Sequence, residues 1–417
     1  MFSINREYVD RKTYDERIKT YQSIEYLQNP SGCSYAICIQ SVLDTIALVL
    51  YFKEHGASVM LVRVDTPLQT VMRLAEKAGC RIVIYDEIDQ FHLIAEGEVS
   101  LSREAPSLLQ FSSGTTGEPK LIERTWQSID HEISSYNEAI QLDKAEVPIV
   151  LSSVTHSYGL LCGVLAAFQR GAEPIIVTAA NPKLTLSVIR QLPAHIVYGV
   201  PAQLRMLDEM TGKRTLFHRL MTSGMPIPPG VFDELRQRTA FMMQQYGCSE
   251  AGCISISSQM DSHLDLGFAL NHYQVTAGTD IEHPGEIVVR QSETIIHTAD
   301  LGYMTTAGGL RYVSRMDDVI NVSGLKVFPL EVEQIIVQMP GVVESVVFRG
   351  IHPVMGEQVL CHVVADSQLT PDMIREWCIQ QLPTYQVPAH ISCVNNIPKS
   401  PTGKISRTQL EKEVTFR

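Results

Sequence analysis

Residues 112–120, SSGTTGEPK, set two glycines among Ser112, Ser113, Thr115 and Thr116 and end on Lys120. Each residue type has a reason to meet phosphate. Gly114 and Gly117 let backbone amides approach closely, the hydroxyls add donors, and the lysine neutralises pyrophosphate charge. Pro119 stiffens the exit of the loop beside Lys120. A merely solvent-exposed loop is the plainer alternative, and the stiffened lysine speaks against it. The spacing is not that of the P-loop, GxxxxGKS or GxxxxGKT, so the mechanism of that motif does not transfer. A second lysine, Lys404, sits in a PTGK turn at 401–404 rather than in an apolar run.

Such a loop needs a rigid mount. LLQF, residues 108–111, puts apolar positions and Phe111 directly before it. Upstream, an apolar-periodic segment from Ser41 to His55, a β-rich run from Ala57 to Arg63, a helical segment from Pro67 to Ala78 and a strand at 81–87 alternate. This alternation predicts a mostly parallel sheet with helices on both faces. Downstream it resumes with PIVL at 148–151, an apolar helix-like run to Phe168, EPIIVT as a strand, a helix over 184–191, and HIVYGVPA. FMMQQYG and GEIVVR read as later strands at glycine turns. The last hundred residues change pattern. LEVEQIIVQMPG and PDMIREWCIQQL read as helices, the latter capped by Thr370 and Pro371, while VVESVVFRG and EQVLCHVVAD read as strands. They predict a small two-layer α+β domain. The expected organisation is a large N-terminal α/β domain over 1–316, with mostly parallel sheets flanked by helices, and a small α+β domain over 317–417.

Composition sets the outer limits. The chain has 417 residues, 45% hydrophobic and 19% charged, with a net charge of −12. That suits a globular protein and disfavours nucleic acid or an anionic membrane as partner. The N-terminal MFSINREYVDRKTYDERIK lacks the apolar stretch of a secretory signal, so a cytoplasmic location is expected. The apolar stretch from Tyr35 to Phe52 is broken by Gln40, Ser41 and Asp44, which predicts a buried helix rather than a membrane crossing. Nine cysteines without a CxxC pair read as free thiols, not metal ligands.

The segment SSGTTGEPK resembles the phosphate-loop signature of the adenylate-forming superfamily, which includes acyl-CoA synthetases, peptide-synthetase adenylation domains and luciferases. Further matching segments follow in order. YGCSE at 246–250 is similar to the family YGxTE segment, which implies Ser249 near the nucleotide and Glu250 near an ATP-bound Mg2+. TADLG at 298–302 resembles the ribose-binding segment and implies Asp300 in that role. SRMDDVINVSGLKVFPLEVE at 314–333 implies Arg315 as a nucleotide contact and Asp317 as a domain pivot, with Ser314 where the family usually has glycine. PTGKISR at 401–407 puts Lys404 at the position of the adenylation lysine. The resemblance implies ATP and Mg2+ as cofactors, with Ser112, Ser113, Gly114, Thr115, Thr116, Gly117 and Lys120 on the phosphates. Elementary chemistry agrees: a carboxylate attacking the α-phosphorus of ATP meets like charge, so Mg2+ and lysine must screen it. No base is needed, because the acid is already ionised near neutrality.

SSVTHSYGL at 152–160 resembles the segment bordering the acyl pocket, with His156 and Ser157 at its centre and Tyr198, Gly199, Val200, Gly224, Met225 and Cys248 as further pocket candidates. It lacks the aspartate by which amino-acid-activating domains hold an ammonium group. It is closer to the aryl-acid ligases of siderophore pathways, in which Asn often stands where Ser157 is. The implied substrate is a hydroxybenzoate such as 3,4-dihydroxybenzoate, and a simple aliphatic acid is the other possibility. The acceptor is either the phosphopantetheine arm of a separate carrier protein or coenzyme A. A noncatalytic nucleotide or acid sensor would not need Lys404, Glu250 and the SGTTG loop together.

Overall fold

The computed structural model describes residues 1–94, 103–112, 120–178, 181–211, 217–322, 325–352, 356–399 and 405–415. Two compact units emerge from the contacts. One comprises Met1–Pro226, Gly230–Asp261 and Gly267–Tyr273, and the other Ile227–Pro229, Ser262–Leu266 and Gln274–Arg417.

The first unit contains two mostly parallel sheets. One runs, in spatial order, through Phe91–Leu93, Ile82–Asp86, Ser34–Ile39, Ser58–Leu61, Ser107–Ser112 and Lys120–Thr125. Its four inner strands are parallel and the outermost strand on each side is antiparallel. The helix expected between Tyr35 and Phe52 is corrected: Ser34–Ile39 is a strand with every residue buried, and the helix is Val42–Glu54. A fully buried strand needs no alternation of polar residues, so its apolar run blends into that of the helix beyond it. The break falls at Ser41, whose hydroxyl accepts the Asp44 amide at 3.1 Å and starts the helix. Tyr35 and Phe52 then stack across the junction, ring centroids 4.1 Å apart.

The second sheet runs through Gly252–Ser257, Thr239–Cys248, Phe217–Thr222, His195–Gly199, Val147–Val150, Ile175–Ile176, Phe2–Ile4 and Glu7–Val9. The six inner strands are parallel. The helix-like run to Phe168 is π-helical over Tyr158–Leu165 and α-helical over Ala166–Gln169. It lies close on its sheet at two glycines. A Cβ on Gly163 would stand 2.9 Å from Val150 Cγ2, and one on Gly159 would stand 2.6 Å from the Ser152 carbonyl.

The second unit opens with the antiparallel strands Gln274–Thr276, Gly285–Gln291, Thr294–Met304 and Leu310–Arg315. A second sheet follows: Leu325–Val327, Ile320–Val322, Gly356–Ala365 and Val342–His352, with His390–Cys393 parallel to Gly356–Ala365. Thr370 caps Pro371–Gln381 by accepting the Met373 amide at 3.3 Å. Ile320, Val332, Ile336, Val347, Val359 and Ile374 form the core on one face of the sheet. Val346, Phe348, Leu360 and Leu410 form another cluster on the opposite face, so the two-layer expectation is also corrected. Successive residues of Val342–His352 point to opposite faces, and the polar helix Arg407–Thr415 covers the second one. Only Leu410 is buried in that helix's described length, too weak a period to read from sequence.

The fold is therefore α/β, with mostly parallel sheets in the larger part and a smaller C-terminal part. All nine cysteines are free thiols. No described helix is long and apolar enough to cross a membrane.

Candidate functional site

In the first unit the candidate residues gather at the carboxyl ends of parallel strands, the end where open α/β sheets bind ligands. Register fixes this. Val150, Tyr198 and Met221 form one row across three neighbouring strands, and Gly199, Thr222 and Gln244 form the next. His156 and Ser157 follow the first of these strands, Val200 the second, and Gly224 and Met225 the third. Cys248 ends the fourth, and Ser249 and Glu250 turn the chain into Gly252–Ser257. Tyr273 holds that turn by donating to the Ala251 carbonyl at 2.6 Å. Gln203 ties two of the loops together: its side chain accepts from Val200 N at 3.1 Å and donates to Leu151 O at 3.0 Å.

The other sheet carries the two strands that flank residues 113–119. Ser107–Ser112 and Lys120–Thr125 pair as a hairpin, Ser112 opposite Lys120, with Lys120 exposed. Ser113, Gly114, Thr115, Thr116 and Gly117 lie outside the described residues, as does Lys404. Two residues before Ser112, the Gln110 carboxamide oxygen accepts the Ser157 hydroxyl at 2.6 Å. That bond joins the strand entering the phosphate loop to the segment read as the acid pocket. Behind the hairpin, Arg124 and Glu132 form a buried ion pair, side chains 6% and 3% exposed. Glu132 also accepts the Cys253 amide at 2.7 Å, so the pair links the loop's exit strand to the strand after Glu250.

Tyr198 lies under this surface rather than on it. It is wholly buried, with its hydroxyl 3.3 Å from that of Tyr136, and burial pushes its pKa up to about 12. Tyr158 donates to the Met221 carbonyl at 2.5 Å, anchoring the start of the π-helix to the sheet.

In the second unit Asp300 and Arg315 are directly opposite on paired strands. Arg315 Nη1 donates to Asp300 Oδ1 at 2.9 Å and to the Thr298 carbonyl at 3.0 Å. Burial disfavours the charge on Arg315, the Asp300 carboxylate outweighs it, and the guanidinium pKa is raised. Ala299, just before Asp300, has φ 57°, a left-handed backbone uncommon outside glycine. Ser314 stands inside the strand Leu310–Arg315, almost fully buried, so the departure from glycine falls on extended chain rather than on a turn. Asp317 follows in the exposed turn Met316–Asp318. Among the described residues no group of three or more His, Cys, Asp or Glu is placed to hold a metal by itself. A carboxylate such as Glu250 can hold Mg2+ together with substrate phosphates, the usual way Mg2+ is bound.

Comparison with known proteins settles what kind of chain this is. Residues 21–295 match the model of the AMP-binding enzyme family, and residues 331–404 match that of the AMP-binding enzyme C-terminal domain. The chain belongs to the AMP-binding enzyme family. This AMP-binding enzyme is 48% identical over 416 residues, 100% of both chains, to 3,4-dihydroxybenzoate–[aryl-carrier protein] ligase of Bacillus anthracis. It is 25% identical to 4-coumarate–CoA ligase of Pinus taeda, over 82% of this chain and 72% of that one. Among solved structures, its fold is similar to ATP-bound MatB from Rhodopseudomonas palustris (TM-score 0.82, 17% identity, 96% and 91% covered). It is also similar to o-succinylbenzoate CoA synthetase from Bacillus subtilis with its acyl-adenylate (TM-score 0.83, 19% identity, 98% and 94% covered).

Four contributors to the architecture of this AMP-binding enzyme escaped the sequence reading: Gln110, Gln203, the Arg124–Glu132 pair and Arg407. Gln110 left a signal, a lone polar residue in the apolar strand before the loop. Arg407 left less. It donates to Asp318 at 2.7 Å, to Glu333 at 2.7 Å and to the Val347 carbonyl at 2.8 Å, partners 60 or more residues away in sequence.

Proposed function

We propose that this enzyme activates 3,4-dihydroxybenzoate with ATP and transfers the aryl group to the phosphopantetheine thiol of a separate aryl-carrier protein. The observation that carries the reading is the Ser157–Gln110 hydrogen bond, which brings the acid segment to the foot of the phosphate-loop hairpin. It occurs in a chain alike from end to end to a ligase named for that acid and that carrier.

In the first step an oxygen of the ionised acid bonds to the α-phosphorus, and the bond to pyrophosphate breaks. Lys120 and the hydroxyls and amides of 112–117 grip the leaving pyrophosphate. Lys404 neutralises charge as it develops, Asp300 holds the ribose hydroxyls, and Arg315, aligned by Asp300, holds the nucleotide. Ser249 sits beside the nucleotide, and Glu250 would hold Mg2+, whose charge offsets that of the triphosphate. His156 and Ser157 border the acid, with Gly199, Val200, Gly224, Met225 and Cys248 around it and Tyr198 supporting from below. In the second step the thiol sulfur bonds to the acyl carbon, AMP leaves with the bonding electrons, and the thiol proton passes to solvent. The two steps need different surroundings, and residues 317–417 reorient about Asp317 relative to 1–316 to supply them. Cytoplasmic chemistry is proposed, where ATP is available.

Acid-dependent ATP–pyrophosphate exchange over aryl and aliphatic acids tests the first half. Exchange with aliphatic acids alone rejects the aryl reading, and no exchange with any acid favours a sensor. Purified aryl-carrier protein and coenzyme A, offered separately after adenylation, test the second. A mass gain on the carrier supports the proposal, whereas product on coenzyme A alone makes the enzyme an aryl-CoA ligase.

A further inference from the structure

Ser157 has one proton to donate, and the structure spends it. Its Oγ donates to Gln110 Oε1 at 2.6 Å, a short bond between part-buried groups. A hydroxyl has one donor and two acceptor lone pairs, so with the proton engaged Ser157 can meet a further ligand only as an acceptor. An acceptor fixed in this way favours ligands that bring their own O–H. A phenolic acid does, whereas unsubstituted benzoate, aliphatic acids and methoxybenzoates do not. Gln110 is itself held in place: it lies on the strand Ser107–Ser112, opposite Ile122 in the hairpin, one residue beyond Leu109, which pairs with Met60 of the neighbouring strand.

We infer that Gln110 is a positioning residue for substrate choice: by taking the Ser157 proton it turns Ser157 into a fixed acceptor for a ring hydroxyl of the aryl acid. This rests on the aryl-acid reading above and deepens it. The resulting chain is phenol O–H to Ser157 Oγ, and Ser157 O–H to Gln110 Oε1, in which each bond polarises the next. Because the same strand leads into the phosphate loop, acids without the hydroxyl would still reach the α-phosphorus but bind without this contact.

The test uses pyrophosphate exchange with 3,4-dihydroxybenzoate and with benzoate, comparing their kcat/KM ratio. In Gln110→Met, which has similar length but no acceptor, the ratio falls about tenfold, the effect of one neutral hydrogen bond. The benzoate value falls less than the 3,4-dihydroxybenzoate value does, so the loss is selective for the hydroxylated acid. Gln110→Glu keeps an acceptor and so keeps the preference for the hydroxylated acid, whatever its absolute rate. Ser157→Ala lowers the ratio as Gln110→Met does, and the double variant is no worse than either single one. If Gln110→Met fails to fold, Ser157→Ala against Ser157→Thr decides the same question, with only the threonine, which keeps a hydroxyl, expected to sustain the preference. Equal loss for both acids in folded Gln110→Met would show a merely structural tie and overturn the inference. So would an unchanged ratio. A wild-type enzyme that exchanges no hydroxybenzoate overturns the aryl-acid reading and this inference together, which separates the two failures.

Discussion

At the scale of single residues, chemistry here depends on charge placed against polyphosphate and charge removed from the interior. Lys404→Ala is expected to slow adenylation by at least about a hundredfold, the lower range for loss of a positioned electrostatic donor. Transfer from separately supplied adenylate should fall much less, and single-turnover measurement of the two half-reactions compares them. A different residue sets a pH limit on stability. His272 packs against His131, ring centroids 4.9 Å apart, and its pKa is lowered from 6.5 to about 4 by burial, then by His131 and Arg124. The folded protein therefore binds fewer protons at this site than the unfolded chain between those values, so stability is intact above about 6.5 and is lost as pH falls towards about 4. Urea midpoints measured from pH 7 down to about 4 should fall less steeply in His272→Gln than in wild type if this single group supplies the slope.

At the scale of elements, the buried Arg124–Glu132 pair makes the hairpin of the phosphate loop and the turn of Glu250 one structure. Removing one partner leaves an unpaired buried charge, so Arg124→Met should cost about 3–5 kcal/mol in urea unfolding, and Arg124→Met with Glu132→Leu should recover much of it. A double variant as unstable as the sum of the singles would show that the pair does not act as a unit. The elements themselves were legible where their period was long and their boundaries chemical. Thr370 and Pro371 announce a helix start, and the strand of HIVYG ends at its glycine, whereas that of FMMQQYG runs on through Gly247 to Cys248. The misreadings share a physical cause. Burial on every side erases alternation, so Ser34–Ile39 disappeared into the helix after it, and π-helical winding from Tyr158 leaves no pattern distinct from α-helix. Side-chain bonds between distant segments, Ser157 to Gln110 or Arg407 to Asp318, leave no local trace at all.

At the scale of the whole molecule, motif order carried the function, and the division into 1–316 and 317–417 was placed where the sequence pattern changes. The compact units divide differently, with the strands from Gln274 to Arg315 grouped with the C-terminal part. The pivot is therefore a matter for kinetics. Asp317→Pro restricts backbone torsion in the turn Met316–Asp318, and transfer to the thiol should fall more than adenylation does. Equal effects on the two half-reactions would move the pivot elsewhere.

Arg407 gives that turn a mechanical meaning. A single guanidinium clasps Asp318 in the turn, Glu333 in the helix Pro329–Val337 and the backbone of Val342–His352. It is well buried, so added salt reaches these bonds poorly. Any swing that begins beside Asp318 is therefore passed on as by a rigid lever, and the chain's final helix rides along instead of trailing behind.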